Sequence, residues 1–535
     1  MDRRDFLKHS AVIGGGIAAG CTPARLDPIA GVLPSADGAT RDLMLRALDT
    51  ARAAGAQYAD VRVSLNRNQG ISTREDRVTG ISDNETMGLG IRVLVNGGWG
   101  FAATRELNSL DVVASATSAV AQARANRSAL LRPVELAPVE AVPDGRWRAP
   151  AEIDPFDVSI EEKVELLLAA NREALTVNSA RFVNSSMFFL REEKSFASTE
   201  GTFTHQTLYR SYPQMTVTAI TEEGSDFQTR SSTDVAPRGL GYEHVLDADL
   251  VGNAPRWAED AVQKLFAPPV EPGTYDLVLL PSHLWLTIHE SIAHPTELDR
   301  IMGFEANYAG TSFIWPLEEY LGRFRYGPDF MNIQAERSSH GALSVAGWDD
   351  EGVAPQEYLI VRDGILEDMQ TTRELVRYMR DWYERSGKPM RSHGQSYAQS
   401  WGDVQFHRMP NINLLPNPER DVTLDELIGG VRRGILIDGD GSFSIDQQRY
   451  NGQFGGQVFH EIRDGRIAGR LRDVAYQIRT PDFWNSMDLI GGPSTSFMGG
   501  AFNDGKGQPS QSNAVSHTCV PSRHRNVTVI NTGAE

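Results

Sequence analysis

The chain has 535 residues, 40% hydrophobic and 23% charged, so a sizeable core is affordable and a disordered or low-complexity chain is excluded. Its 52 Lys+Arg against 70 Asp+Glu give a formal charge of −18, which argues against nucleic acid or an anionic membrane surface as partner. Two cysteines, Cys21 and Cys519, cannot build a disulfide framework.

Arg3 and Arg4 precede Asp5-Phe6-Leu7-Lys8, and a weakly apolar run from Ala11 to Ala19 follows. That layout is similar to a twin-arginine export signal over residues 1–21, too short in its apolar part to remain as a spanning helix. Ala18-Ala19-Gly20-Cys21 also resembles a lipoprotein cleavage box, which would put a lipid anchor on Cys21. The expectation is an exported, periplasmic protein, either free or membrane-anchored. Cys519 would then be its sole thiol, with nothing to mispair in an oxidising compartment.

Leu43, Ala47, Leu48 and Ala51 recur at helical spacing and predict a helix over 40–54. Ala59, Val61, Val63 and Leu65 alternate and predict a half-buried strand, and Met87 to Phe101 reads as a hairpin about Asn96-Gly97-Gly98. An Ala-rich helix over 110–125, a Pro-rich loop over 133–155 and a helix to Leu175 opened by a Ser159/Glu162 capping box follow. Strands over 181–221 and a helix over 254–266 complete an α+β N-terminal domain, 37–270. Ala267-Pro268-Pro269-Val270-Glu271-Pro272-Gly273 marks its end, because closely spaced prolines cannot sit inside a regular element. The second domain, 271–535, reads as β-rich after a strand over 275–280 and a helical stretch over 282–294. Two hairpins there turn on Asp363-Gly364 and Asp464-Gly465, since Asp-Gly tolerates the positive φ of a two-residue turn.

His289-Glu290-Ser291-Ile292-Ala293-His294 carries the chemistry. Imidazoles are the commonest zinc ligands, and a neighbouring carboxylate that does not bind metal can accept a proton from an attacking water. Histidines at i and i+5 lie about 140° apart on an α-helix, against about 40° at i and i+4. Convergence therefore needs a π-type bulge or a helix end at the second histidine, and Pro295 favours the end because it disfavours the α conformation at His294. Glu297 and Asp299 are candidates to orient the ligands, with an Asp299–Arg300 ion pair or a helix-end role as the plain alternative. Asp349-Asp350-Glu351 reads as a solvated acidic turn. His393, His407, His460 and His524 read as structural or exposed, and Trp401, Phe406 and Met409 as core residues rather than a substrate groove.

The run His289 to Arg300 resembles the signature of the TldD/PmbA metalloprotease family, also called modulators of DNA gyrase. The resemblance extends to Met87-Gly88-Leu89-Gly90-Ile91-Arg92, Gly100-Phe101-Ala102, Tyr308-Ala309-Gly310-Thr311, Asp349-Asp350-Glu351-Gly352, Gly455-Gly456-Gln457-Val458 and Gly505-Lys506-Gly507-Gln508. The chain looks most like exported TldD-like subunits, because PmbA/TldE-like partners lack the metal histidines. The resemblance implies a zinc peptidase that takes an unfolded peptide into a closed cleft as an added strand. It also implies a dimer, either of identical chains or with a TldE-like subunit. It makes His289 and His294 the metal ligands and Glu290 the general base. The family's third ligand is a cysteine, and Asp504 stands in its place just before Gly505-Lys506-Gly507-Gln508; Ala293 stands where the family commonly has glycine. Asp504 is thus the candidate third ligand, with Cys519 and His517 as rivals. A carboxylate is harder than a thiolate and would admit other divalent metals beside zinc. The alternative function is a partner subunit or peptide-binding lipoprotein of the same fold, without hydrolysis or with little of it.

Overall fold

The computed structural model describes residues 36–533; the twin-arginine stretch and Cys21 lie outside them. Helix α1 (Gly38–Ala53) starts at Asp37, whose carboxylate accepts the Thr40 N–H, and buries Met44, Ala47, Leu48 and Ala51 as their spacing requires. Strands β1 (Tyr58–Arg74), β2 (Arg77–Val95) and β3 (Gly98–Thr104) form a meander, with Asn96 (φ 51°) and Gly97 (φ 77°) making the second turn. Helix α2 (Ser109–Asn126) lies so close over β3 that a Cβ on Gly100 would overlap the Ala119 carbonyl.

The Pro-rich stretch is not all loop: β4 (Gly145–Arg148) lies within it and pairs in parallel with β6 (Phe203–Ile220). Helix α3 (Ile160–Ala174) has half of its expected capping box. Ser159 accepts the Glu162 N–H at 3.1 Å, but the exposed Glu162 side chain turns to solvent instead of returning the bond. The reciprocal box is at Thr423 and Glu426, heading the short helix Leu424–Gly429. With β5 (Ala180–Ser198) and β7 (Phe227–Ser231), the strands make one seven-stranded sheet in the order β3-β2-β1-β5-β6-β4, β7 pairing with β6. Helices α3 and α4 (Leu250–Leu265) pack together over it, and Trp257 of α4 is fully buried.

The second half begins with β8 (Gly273–Leu279), which pairs in parallel with Arg433–Ile445 and antiparallel with Ser522–Asn531. From there the pairing passes through Val474–Arg479 to Asn451–Arg463, and Asn451–Arg463 pairs back with Arg433–Ile445. The ring closes. Leu277, Ile437, Phe454 and Tyr476, all fully buried, belong to its core. Both Asp-Gly turns have the expected backbone, φ 48° and 75° at Asp363 and Gly364, φ 46° and 74° at Asp464 and Gly465.

The acidic run departs from its reading as a solvated turn, for Asp349, Asp350 and Glu351 are all buried where the two halves meet. Asp350 Oδ2 accepts from Lys194 Nζ at 3.0 Å, Glu351 Oε1 from Arg92 Nη2 at 3.1 Å, and Asp349 from the N–H groups of Glu351, Val353 and Ser396. Basic residues of β1, β2 and β5 supply the countercharge, which a local reading of the run cannot see. Beside them, Trp401 lies across Gly88 and Gly90, where any side chain would overlap it. Met409 is fully buried and belongs to the core.

Candidate metal centre

The strand β8 delivers the chain through Leu280 into α5 (Pro281–Ile288), which starts with proline at its first turn and buries every residue. At His289 the helix loosens into a π turn, His289–Ala293, closed by the His294 N–H donating to the His289 carbonyl. The bond joins the two candidate ligands themselves. One extra residue per turn brings i and i+5 onto one face, and the imidazole centroids lie 4.6 Å apart.

Of the two ways to convergence, the chain takes the bulge. His294 keeps α geometry (φ −60°, ψ −43°) despite Pro295, and a 3₁₀ turn, His294–Thr296, follows. Side chains satisfy the carbonyls that regular helix bonds abandon. Tyr326 Oη donates to Ser291 O at 2.5 Å, Thr296 Oγ1 to Ile292 O at 2.8 Å, and Gln370 Nε2 to Ala293 O at 2.5 Å. Ala293 has φ −67°, so nothing in its backbone calls for glycine.

Asp504 comes from the strand Phe497–Lys506, which pairs with Gln511–Cys519 and shifts register between Ala501 and Asp504. Its Oδ1 lies 3.7 Å from His289 Nε2 and 3.8 Å from His294 Nε2. The three ligand atoms all fall within 4.8 Å of one another, and all three residues are buried. Oδ2 turns away to Arg408 Nη2 at 3.2 Å, and the same nitrogen also bonds the Asp504 carbonyl. Burial opposes ionisation of Asp504, but His289, His294 and Arg408 outweigh it and hold the carboxyl well below its ordinary range.

The hydrogen bonds behind the histidines fix which nitrogen carries the proton. His517 Nδ1 lies 2.8 Å from Ile412 O, which can only accept, so His517 Nδ1 holds hydrogen and Nε2 is a bare acceptor. His289 Nδ1, 2.9 Å from that Nε2, must therefore donate, and His289 Nε2 faces Asp504 and His294; burial opposes a charged ring there, but Asp504 outweighs it and raises the pKa of His289. His294 Nδ1 donates to Glu297 Oε2 at 3.0 Å, which frees its Nε2. Burial disfavours a charged Glu297, yet Lys506, His294 and Arg300 hold it ionised.

The rivals to Asp504 are not in the cluster. His517 stands behind His289, and burial pushes its pKa well down. Cys519 Sγ donates to Pro281 O at 3.6 Å, and burial pushes its thiol up. Glu297 touches a ligand histidine; Asp299 touches neither, and instead accepts from Lys506 Nζ and from the Arg300 N–H at 2.9 Å. Lys506 is buried beneath the centre, with Nζ also bonded to Glu297 Oε1 at 3.1 Å and His407 Nδ1 at 3.2 Å. Glu290 meets Arg449, whose Nη1 lies 3.0 Å from Glu290 Oε2. Sequence reasoning passed over Arg408, Arg449 and the role of Lys506, since isolated basic residues carry no spacing signal.

Two imidazole nitrogens and one carboxylate oxygen suit a divalent ion. Ligands bound at about 2.0–2.2 Å in a tetrahedron stand about 3.4 Å apart, a few tenths closer than Asp504 Oδ1 is to either imidazole nitrogen here. A zinc-type site with three protein ligands keeps a fourth position open, as hydrolytic centres require.

Three family models match the chain: PmbA/TldA metallopeptidase domain 1 over residues 59–127, the central domain over 153–267 and the C-terminal domain over 272–520. A metalloprotease of Methanothermobacter thermautotrophicus is 26% identical over 435 residues, 81% of this chain and 88% of that protein. A protein of Saccharolobus solfataricus named zinc metalloprotease TldD homolog is 23% identical over 490 residues, 89% of this chain and 98% of that one. Two solved structures share the fold: a putative modulator of DNA gyrase from Bacteroides thetaiotaomicron (TM-score 0.67, 16% identity, 92% of this chain and 99% of that) and TldE from Thermococcus kodakarensis (0.67, 15%, 92% and 100%). The matches run through the metal centre and both halves of the molecule, and the chain belongs to the PmbA/TldA metallopeptidase family.

Proposed function

We propose that this chain is a metal-dependent peptidase of unfolded peptides, with His289, His294 and Asp504 holding the ion and Glu290 as general base. The observation that carries the reading is the convergence of two imidazole Nε2 atoms and one carboxylate oxygen beside a buried glutamate. A divalent ion bound there supplies a Lewis acid for a peptide carbonyl and lowers the pKa of water. Glu290 takes the proton of the attacking water and hands it to the leaving amine. Arg408 holds Asp504 with one oxygen toward the histidines, and His517 and Glu297 hold the rings. Phe497–Lys506 has Gln511–Cys519 as its one strand partner among the described residues, and in this reading an extended peptide adds along its other edge as a further strand. Zinc is the first ion to test, with manganese, cobalt and iron close behind because Asp504 replaces a softer ligand.

Elemental analysis of the purified mature protein should find about one divalent ion per chain, lost in Asp504→Ala and recovered as zinc in Asp504→Cys. Glu290→Gln should lower peptide turnover by about 10²–10⁴-fold with the metal retained. Undiminished turnover by that variant removes Glu290 from the mechanism. The second reading, a subunit of a TldD/TldE-type pair without hydrolysis of its own, draws on Asp504 and on the likeness to TldE. A metal-loaded wild type that cleaves no unfolded peptide, alone or with such a partner, would favour it. We further propose export by the twin-arginine route, with Cys21 as the point of lipid attachment if one exists. Arg3→Lys with Arg4→Lys should hold folded precursor in the cytoplasm, and an unchanged periplasmic amount would refute the route.

A further inference from the structure

Four basic side chains surround the centre, and three of them are committed. Arg300 bonds Glu297 Oε2 at 3.0 Å and Ala309 O at 2.8 Å, and pairs with Glu305 at 2.8 Å. Lys506 divides its three donors among Glu297, Asp299 and His407. Arg408 donates to Gln511 O at 2.6 Å and to Asp504. Their side chains are 1–2% exposed. Arg449 is different. Its side chain is 14% exposed, and among the described residues its one polar contact is the Glu290 ion pair and its Nε has no partner. A guanidinium carries five N–H donors, so most of this one's capacity is unused.

The backbone presents Arg449 rigidly. The residue has φ 62°, a left-handed conformation uncommon for residues other than glycine. Asp446 fastens the turn by accepting the N–H groups of Gln448, Tyr450 and Asn451 at 2.9–3.0 Å, and Thr480 Oγ1 donates to Arg449 O at 2.7 Å. Gln448 and Tyr450, on either side of it, line a cavity of about 540 Å³ together with Met302, Phe313, Trp315 and Tyr320. That cavity adjoins the turn that carries Arg449.

Resting on the peptidase reading, we propose that Arg449 is a catalytic residue that donates to the oxygen of the scissile carbonyl as negative charge develops on it. As water oxygen bonds to the carbonyl carbon, the C=O π pair moves onto that oxygen, and Arg449 N–H groups receive it. Glu290 accepts the water proton and passes it to the amide nitrogen as the C–N bond breaks, yielding a carboxylic acid and an amine. The donors are fixed before the reaction begins, which is what makes such groups effective.

The test compares Arg449→Gly, which suits the left-handed backbone and so preserves the turn, with Arg449→Lys. Steady-state kinetics use a peptide that the wild type cleaves, and binding uses a phosphinic analogue with a tetrahedral anionic centre in place of the scissile amide. Removing one such donor should lower kcat by about 10²–10³-fold at unchanged KM, with partial rescue by lysine. The phosphinic analogue should lose affinity in Arg449→Gly by a similar factor, while a plain peptide binds Glu290→Gln equally well with or without Arg449. If Arg449 only holds Glu290 ionised, the acid limb of the pH profile moves up while the kcat plateau and the analogue affinity stay put, and the proposal falls. A wild type that cleaves no peptide overturns the peptidase reading and this role together; a cleaving enzyme with an unaltered plateau in Arg449→Gly overturns this role alone.

Discussion

Where the two halves of the molecule meet, Lys194 Nζ lies 3.0 Å from Asp350 and 3.0 Å from Glu192, Arg210 bonds Glu192 at 3.1 Å, and Arg92 joins Asp60 to Glu351. At the metal centre, Asp504 stands 3.7 and 3.8 Å from the Nε2 atoms of two imidazoles, and Glu290 faces an arginine with donors to spare. Both clusters are buried, and both include acids from the second half of the chain. The first is paired: each carboxylate named has a cationic partner in direct contact. The second sets one carboxylate oxygen and two imidazole nitrogens around a common point at 3.7–3.8 Å, longer than direct hydrogen bonds, a spacing that suits a shared ion. A saturated buried network holds a fold together; an unsaturated one is where a ligand goes.

The sharpest way to break that contrast is to open the closed network. Lys194→Met keeps the volume but strands Asp350 and Glu192 without their shared ammonium, and breaking a buried pair from one side costs about 3–5 kcal/mol. Denaturant unfolding should show that loss while metal content stays at the wild-type level. A stability change below about 1 kcal/mol would place the network among surface-like pairs and remove the distinction drawn above.

Acid titration tests buried groups outside both clusters. Burial holds His244, His283 and His524 at a pKa of about 4, each neutral and bonded to a backbone carbonyl. Unfolded histidine titrates near 6.5, so the unfolded chain binds protons that the folded one refuses. Their contribution is complete above about pH 6.5 and is lost as pH falls toward 4, at about 3 kcal/mol for each fully titrated histidine. Unfolding midpoints measured from pH 7 to pH 4 should fall steeply over that window. A flat profile would mean that these rings are hydrated in solution.

The contrast also explains what could be read from residues alone. Helix α1, the alternation of β1 and both Asp-Gly turns obey local rules, and they appear where the spacing puts them. His289 and His294 were conspicuous by type, and the geometric conflict at i and i+5 already called for a bulge or a break. Choosing between them needed Tyr326, Thr296 and Gln370, which bond the freed carbonyls and of which two are remote in sequence. Asp349 to Glu351 was misread because its countercharges lie 156 to 288 positions earlier, on strands that pair with one another and not with it. Arg449 gave no signal: its position depends on a turn fastened by Asp446 and on a ring of strands that closes in three dimensions.

The smallest effect separates the inner and outer parts of the metal centre. His517 lies 2.9 Å from His289 Nδ1 and was a rival ligand on sequence grounds, so its removal discriminates two roles. If it fixes the tautomer, His517→Ala deprives the His289 N–H of its acceptor and should weaken metal binding by about 10–100-fold, the usual cost of losing a group behind a ligand histidine. Glutamine at this position can accept from His289 through its carbonyl and donate to Ile412 O through its amide, restoring the same relay. His517→Gln should therefore bind metal nearly as tightly as wild type, and competition with a chelator of known affinity measures both variants. A ligand role predicts otherwise: an amide is a poor substitute for imidazole on zinc, and both variants would then lose stoichiometric metal together. Equal loss in the two variants would sink the relay and return His517 to the ligand set; a difference between them assigns it to the outer row, where the geometry of Ile412 and His289 puts it.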